Sequence, residues 1–495
     1  MTDETPHASE IQLNATGCSA AAGPEQTGRW GRDYSHAVRA LRHRNFRLFF
    51  GGQTVSLVGT WMTRVATSWL VYRLTGSSLL LGTVSFVGQI PTFPLAPFAG
   101  VWVDRLDRRQ VLIWTQTLAM LQSLMMAWLT LSKRINITEI LVLSAFQGLV
   151  NAFDMPGRQA FMVQMVEDRG DLQNAIAINS SMVNAARLIG PSLAGLVIAA
   201  SSEGWCFLID GLSYIAVIIS LLMMRVHATQ VRSRAASMFE QMREGWSYVA
   251  RFAPVRTILL LFALLSLMGM PYMVLMPVFA GDVLHGGPHT LGFLMAAAGA
   301  GALVSALSLV LRRSVRGLTR MIAIAAIVFG GGLVAFGFSR WLWLSLVVLL
   351  FTGFGMMQGM TASNTVIQTL VPEDKRGRVM SYYMAAFVGM APFGSLLAGS
   401  MANWIGAQRT VMVTGTCCIV GGLWFWSRLP GVRYSWVLSK RSEGAVDSRR
   451  RQRARVSLWN CLREAGRLRL WAWRTKTGMT AIGEGAMVCT DLRCS

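Results

Sequence analysis

The sequence predicts an all-α membrane protein of twelve transmembrane helices in two pseudo-symmetric six-helix bundles, and three observations carry the prediction. The chain of 495 residues is 53% hydrophobic yet only 14% charged, against roughly 25% charged residues in a soluble domain. Polar groups this sparse cannot cover the surface of so long a chain, so lipid must cover much of it. Twelve apolar runs, each near twenty residues, follow one another along the chain, and a run of that length crosses a hydrocarbon core about 30 Å thick at about 1.5 Å per residue. The second half of the chain also repeats elements of the first.

The runs lie at about 48–72, 79–102, 110–131, 138–163, 174–200, 205–224, 257–280, 291–311, 319–338, 342–368, 379–402 and 409–427. They are twice the length of a membrane strand and apolar on all sides, which leaves helices as the assignment. Several are dense in small residues, such as Ala296-Ala297-Ala298-Gly299-Ala300-Gly301 or Gly353, Gly355 and Gly359, as helices packed backbone to backbone in lipid require.

Arginine placement sets the topology. The connections after runs 2, 6, 8 and 10 hold Arg105, Arg108 and Arg109; Arg232, Arg234, Arg243 and Arg251; Arg312, Arg313 and Arg316; and Lys375, Arg376 and Arg378. The alternate connections are poor in base, so the positive-inside rule predicts both termini in the cytoplasm. The longest stretch expected to be free of helix, 226–256, divides the spans six and six. Expected units are therefore an N-terminal tail (1–45), a first bundle (46–225), a linker (226–256), a second bundle (257–428) and a basic, disordered cytoplasmic tail (429–495). Gly190-Pro191-Ser192-Leu193-Ala194-Gly195 recurs as Gly394-Ser395-Leu396-Leu397-Ala398-Gly399, and Val163-Gln164 as Ile367-Gln368, at the same offset of 204. Paired bundles of this kind suit a transporter that rocks about a central cavity.

The chain carries 46 Lys plus Arg against 24 Asp plus Glu, with much of the excess in the C-terminal tail. Such a tail beside an apolar body points to anionic lipid rather than nucleic acid, since no nucleic-acid-binding pattern accompanies it. The first 45 residues lack the apolar segment of a cleavable signal peptide. Seven scattered cysteines without paired spacing suggest neither a disulfide framework nor a zinc site. No nucleotide-binding, metalloprotease or nucleophile-elbow motif occurs, so neither enzyme activity nor a cofactor or metal is expected.

Between runs 2 and 3 the chain reads Gly100-Val-Trp-Val-Asp104-Arg105-Leu-Asp107-Arg108-Arg109. This resembles the G-x-x-x-D-[RK]-x-G-[RK]-[RK] loop of the major facilitator superfamily, with Asp107 in place of the last glycine. The resemblance implies a gating latch built from Gly100, Asp104, Arg105, Arg108 and Arg109. Trp61-Met62, the stretch Trp69 to Ser77, Ala152 to Phe161, and Asn179-Ser180-Ser181 through Gly190-Pro191 are similar to the branch containing the enterobactin exporter and macrolide efflux pumps. That similarity spans about residues 45–428. It implies proton-driven export of small amphipathic molecules such as drugs or siderophores. Gly190, Pro191 and Gly195 resemble the glycine-proline motif of facilitator antiporters, where the proline removes a backbone hydrogen bond and kinks the fifth helix. A further facilitator motif near Gln147-Gly148 expects arginine where Ser144 stands.

Ionisable groups inside membrane helices are costly and mark function by default. The candidates are Arg64, Asp154, Arg158, Arg187 and Asp210, the last near a helix end, so that a buried charge and a side chain simply reaching the interface are both open readings for it. Asp154 and Arg158 are four apart and share a helix face. They are candidates for gate, proton carrier or structural pair, with Arg105 or Arg109 within expected reach of Asp154. All six histidines fall in tails or loops. Trp61, Trp69, Met270, Tyr272, Met356 and Gln358 are candidate substrate-cavity residues. The expectation is a secondary transporter, monomeric, whose partners are a small-molecule substrate, protons and the bilayer. Uptake or facilitated diffusion of a metabolite, and a non-transporting scaffold, are the competing readings.

Overall fold

The computed structural model describes residues 39–166, 171–224, 238–310 and 317–429, and these form helices and short connections with no strand among them. Twelve spans succeed one another. In the first half they are α1 (Arg44–Thr75), α2 (Ser78–Gln89 and Thr92–Arg105), α3 (Arg108–Leu131), α4 (Ile137–Met165), α5 (Leu172–Ala200) and α6 (Glu203–Met223). In the second half α7 runs in segments from Ala253 to Val283, followed by α8 (Pro288–Val310), α9 (Leu318–Phe338), α10 (Leu342–Leu370), α11 (Glu373–Val388 and Ala391–Ile405) and α12 (Ala407–Leu429). Eleven of the spans are both long and apolar enough to cross a membrane. The exception is α1. Its 32 residues suffice in length, but Gln53 and Ser56 lower its apolar character and are buried against neighbours.

Local chemistry sets the ends and breaks. Gly76, at φ 59°, closes α1 with its N–H on the Tyr72 carbonyl, a left-handed turn that glycine adopts without a Cβ clash. Ser77 then caps α2 by accepting from the Leu80 N–H. Pro91 lacks an N–H and breaks α2 in mid-span. In α7 π-helical turns at Leu265–Gly269 and Phe279–Val283 lie beside Pro271 and Pro277, where the missing donors loosen the ladder.

Within the first bundle α1 packs on α5 and α6, α3 on α4 and α6, and α2 on α4; in the second, α8 and α9 both pack on α10. The bundles meet along α5 with α8 and α2 with α11. One correction concerns the linker. It contains a helix, Met238–Arg251, that docks on the first half of α11 through an ion pair between Glu244 and Arg378 and a 5.8 Å ring contact of Trp246 with Tyr382. Its apolar residues lie on one face and its charges on another. An amphipathic helix of this kind is too polar to read as a span and stays unseen when only apolar runs are counted. Residues 1–38 and 430–495, which include most of both expected tails, lie outside the described residues.

Candidate functional site

The end of the molecule away from the start of α1 at Arg44 and the end of α12 at Leu429 is closed by contacts between the bundles. A Cβ added to Gly195 of α5 would lie 3.1 Å from the Cα of Gly292 in α8, and one added to Gly82 of α2 would lie 3.0 Å from the Cα of Gly399 in α11. Only glycine permits backbones this close. Gly195 and Gly399 end the two copies of the repeated hexapeptide, so the internal repeat places equivalent glycines at the two equivalent crossings. Two side-chain bonds join the same end: the Tyr72 hydroxyl donates to Asp282 at 2.6 Å and the Ser85 hydroxyl to Ser395 at 3.1 Å. Toward the opposite end, the second half of α2 packs on α4 and the first half of α11 on α7 and the linker helix.

Three carboxylates among the described residues of the first bundle are buried, Asp154, Glu203 and Asp210. Asp154 of α4 accepts from the Thr115 hydroxyl at 3.0 Å and the Gln116 amide at 2.6 Å, both on α3, and its other oxygen pairs with Arg158. The expected reach of Arg109 to Asp154 is not found. Arg109 instead donates to the carbonyls of Leu221 and Leu222 at 2.7 and 2.8 Å, which are unsatisfied acceptors in the last turn of α6.

For Asp210 the structure decides between the two readings. It does not reach an interface: it is 1% exposed, accepts from the hydroxyls of Thr63 at 2.8 Å and Ser123 at 2.7 Å through one oxygen, and leaves the other without a partner. Gly59 opens the niche, since a Cβ there would lie 2.8 Å from the free oxygen. The signal available in the sequence was the seven-residue spacing of Gly52 and Gly59, which marks one face of α1 for close packing against α6.

A third cluster centres on Trp61. The guanidinium carbons of Arg64 and Arg187 lie 4.7 and 5.2 Å from its ring centroid. Gly190 makes this meeting possible, because a Cβ there would lie 2.5 Å from the Trp61 Cβ and 2.9 Å from the Val58 carbonyl. Arg187 is one turn before Gly190 and therefore points at the same ring. Helix α5 continues through Pro191, whose missing N–H leaves the Arg187 carbonyl free of its helical donor. That oxygen faces Gly299 of α8, where an added Cβ would lie 2.9 Å away.

The remaining cavity candidates scatter. Tyr272 is buried, with its hydroxyl unpartnered. Met270 and Met356 line a small apolar pocket inside the second bundle with Phe262, Phe329 and Phe387. Gln358 accepts from Ser305 at 2.6 Å and donates to the Met321 sulfur at 2.9 Å, binding α8 and α9 to α10. Trp69 packs on Tyr72 with ring centroids 5.3 Å apart, at the closed end.

Residues 35–442 match the family model described as Transmembrane secretion effector. The chain belongs to this family of the major facilitator superfamily. It is a multi-pass membrane transporter of small molecules and not an enzyme. The staphyloferrin A transporter of Staphylococcus aureus is 26% identical over 385 residues, covering 77% of this chain and 96% of that one. The multidrug efflux pump Tap of Mycolicibacterium fortuitum is 26% identical, covering 72% and 88%, and macrolide efflux protein A of Streptococcus pyogenes is 21% identical, covering 76% and 95%. The fold is similar to the crystal structure of the nucleoside transporter NupG, with a TM-score of 0.64 at 12% identity over 78% of this chain and 99% of that one.

At the α2–α3 connection, where Gly100, Asp104 and Arg105 fall in the second segment of α2 and Arg108 and Arg109 begin α3, Asp107 caps α3 by accepting from the Arg109 N–H at 2.9 Å. Arg108 reaches the Ala160 carbonyl at 3.5 Å, tying the connection to α4. The expected latch roles of Gly100, Asp104 and Arg105 fall on positions whose side chains lie outside the described residues.

Proposed function

We propose that this transporter exports small amphipathic molecules, drugs or siderophore-like compounds, from the cytoplasm across the bacterial inner membrane by proton antiport. Both termini lie in the cytoplasm, and the closed end described above faces outward. The observation that carries the coupling is Asp154, a buried carboxylate whose two oxygens are shared between neutral donors on α3 and Arg158 on its own helix. Protonation would release Arg158 while Thr115 and Gln116 retain their acceptor, so one proton changes the charge exposed on the α4 face. Relatives named for siderophore transport, multidrug efflux and macrolide efflux, each covered over 88% or more of its length, support export as the direction.

Cells with and without the protein, loaded with a panel of antibiotics and catecholate siderophores, test the reading. Depletion of at least one compound is expected. Accumulation would favour uptake, and equal retention of every compound would favour a non-transporting scaffold. In proteoliposomes with an imposed pH gradient, Asp154→Asn should abolish uphill export and retain downhill exchange. Loss of both modes would make Asp154 a gate rather than the proton carrier.

A further inference from the structure

Arg64 and Arg187 stand out among the charges in the spans. Asp154 has Arg158, and Glu203 has Arg73 at 2.8 Å. Neither Arg64 nor Arg187 makes an ion pair or hydrogen bond to another described residue. Arg187 has a buried Nε with no acceptor, and the two cations lie within electrostatic range of one another, so they repel. Both rest on one face-providing residue, Trp61.

Position shows that this cluster faces the interior rather than lipid. Arg64 is nine residues from Val55, or about 900° at 100° per residue, which puts the two on opposite sides of α1. Val55 is an outward apolar residue, 55% exposed. Arg64 lies within electrostatic range of Tyr214, whose ring packs with Ala119 of α3 and Val150 of α4 in the heart of the first bundle. Even so, Arg64 itself is exposed, as a side chain lining an internal cavity would be. From the other bundle Tyr272 brings a buried hydroxyl without a partner, within electrostatic range of Arg187.

We propose that Trp61, Arg64, Arg187 and Tyr272 form a substrate subsite for an anionic group, a carboxylate on an amphipathic small molecule. Two like charges held together in a membrane interior are costly, and an anion between them offsets both the repulsion and the missing hydrogen bonds. Guanidinium groups match the two oxygens of a carboxylate in fork geometry. The Trp61 ring holds the guanidinium planes by cation–π contact and offers an apolar wall to the rest of the molecule. Because the Arg187 backbone lies against Gly299 of α8, where an added Cβ would be 2.9 Å from its carbonyl oxygen, an anion bound there sits where the two halves that must move meet. This assignment rests on the transporter reading and names its substrate class. It takes Arg64 and Arg187 out of proton coupling.

Binding of radiolabelled naphthoate, an aromatic carboxylate, to the purified full-length protein in neutral detergent tests it, with naphthoate methyl ester as the uncharged competitor of the same shape. Naphthoate should bind saturably and resist displacement by the ester. Arg64→Gln and Arg187→Gln should each weaken it at least tenfold, and Arg187→Lys should recover part of the loss while eluting as wild type in gel filtration. Equal binding of acid and ester to the wild type, a comparison that needs no variant, would overturn the subsite, and so would Gln variants with unchanged affinity. Displacement by phosphatidylglycerol at equal concentration would assign the arginines to a lipid headgroup and overturn it too. Because no transport is measured, the outcome is independent of the export assay: a protein that exports yet binds acid and ester alike defeats the subsite alone.

Discussion

Tyr72→Phe should loosen the closed end without disturbing either bundle. Tyr72 ends α1 and Asp282 ends α7, so their 2.6 Å bond exists only while the bundles meet at that end. Phenylalanine keeps the ring contact with Trp69 and deletes only the hydroxyl. At a site open to water the net worth of such a bond is about 0.5–1.5 kcal/mol, and at about 1.4 kcal/mol per tenfold the ratio of open to closed molecules should rise about 2- to 12-fold. Spin labels at Lys133→Cys in the α3–α4 connection and Trp341→Cys in the α9–α10 connection, both at that end and both on exposed positions, read the distance between bundles directly. The longer-distance population should grow by that factor in Tyr72→Phe. An unchanged distance distribution would refute the claim that this bond helps hold the end shut.

Gly399→Leu should have a stronger effect of the same kind, since its Cβ would meet the Ser78 carbonyl at 2.7 Å and the backbone cannot yield; the same label pair should report a predominantly open end, and export should fail. Asp210→Leu should destabilise the detergent-solubilised protein by about 1–3 kcal/mol by taking the acceptor from the half-buried Thr63 hydroxyl and leaving the buried Ser123 hydroxyl only its 3.5 Å bond to Gln122, whereas Asp210→Asn, which retains an acceptor, should cost less; equal melting temperatures for the two would contradict the assigned bonding. A stop after Pro430 should leave membrane insertion and export intact, because the bundles are complete at Leu429; loss of export in the truncated protein would give the basic tail a role.

How much of this was legible before folding follows from what each feature depends on. Lipid demands apolar runs of fixed length, so the twelve spans and their order could be read from local composition. The repeat survives as a one-dimensional match, so pseudo-symmetry could be read as well, and with it the glycines that came to sit at the bundle crossings. The helix in the linker escaped because its amphipathic face lacks the uniform apolarity by which spans are found. Asp210 could be read either as a buried charge or as an interfacial residue because distance from a helix end is all that one dimension provides; its niche is built by Gly59, Thr63 and Ser123, brought together from two other spans. The same holds for the charges. Sequence identified Arg64, Asp154, Arg158 and Arg187 as costly, and spacing four apart paired Asp154 with Arg158 on one helix. Whether Arg109 joined them depended on the end of α6, and whether Arg64 and Arg187 found carboxylates depended on how Gly190 let α5 close on Trp61. Composition and period are properties of a segment, so the sequence alone determined the spans. Pairing of a buried charge is a property of the neighbours that packing supplies, and only the tertiary structure decided it.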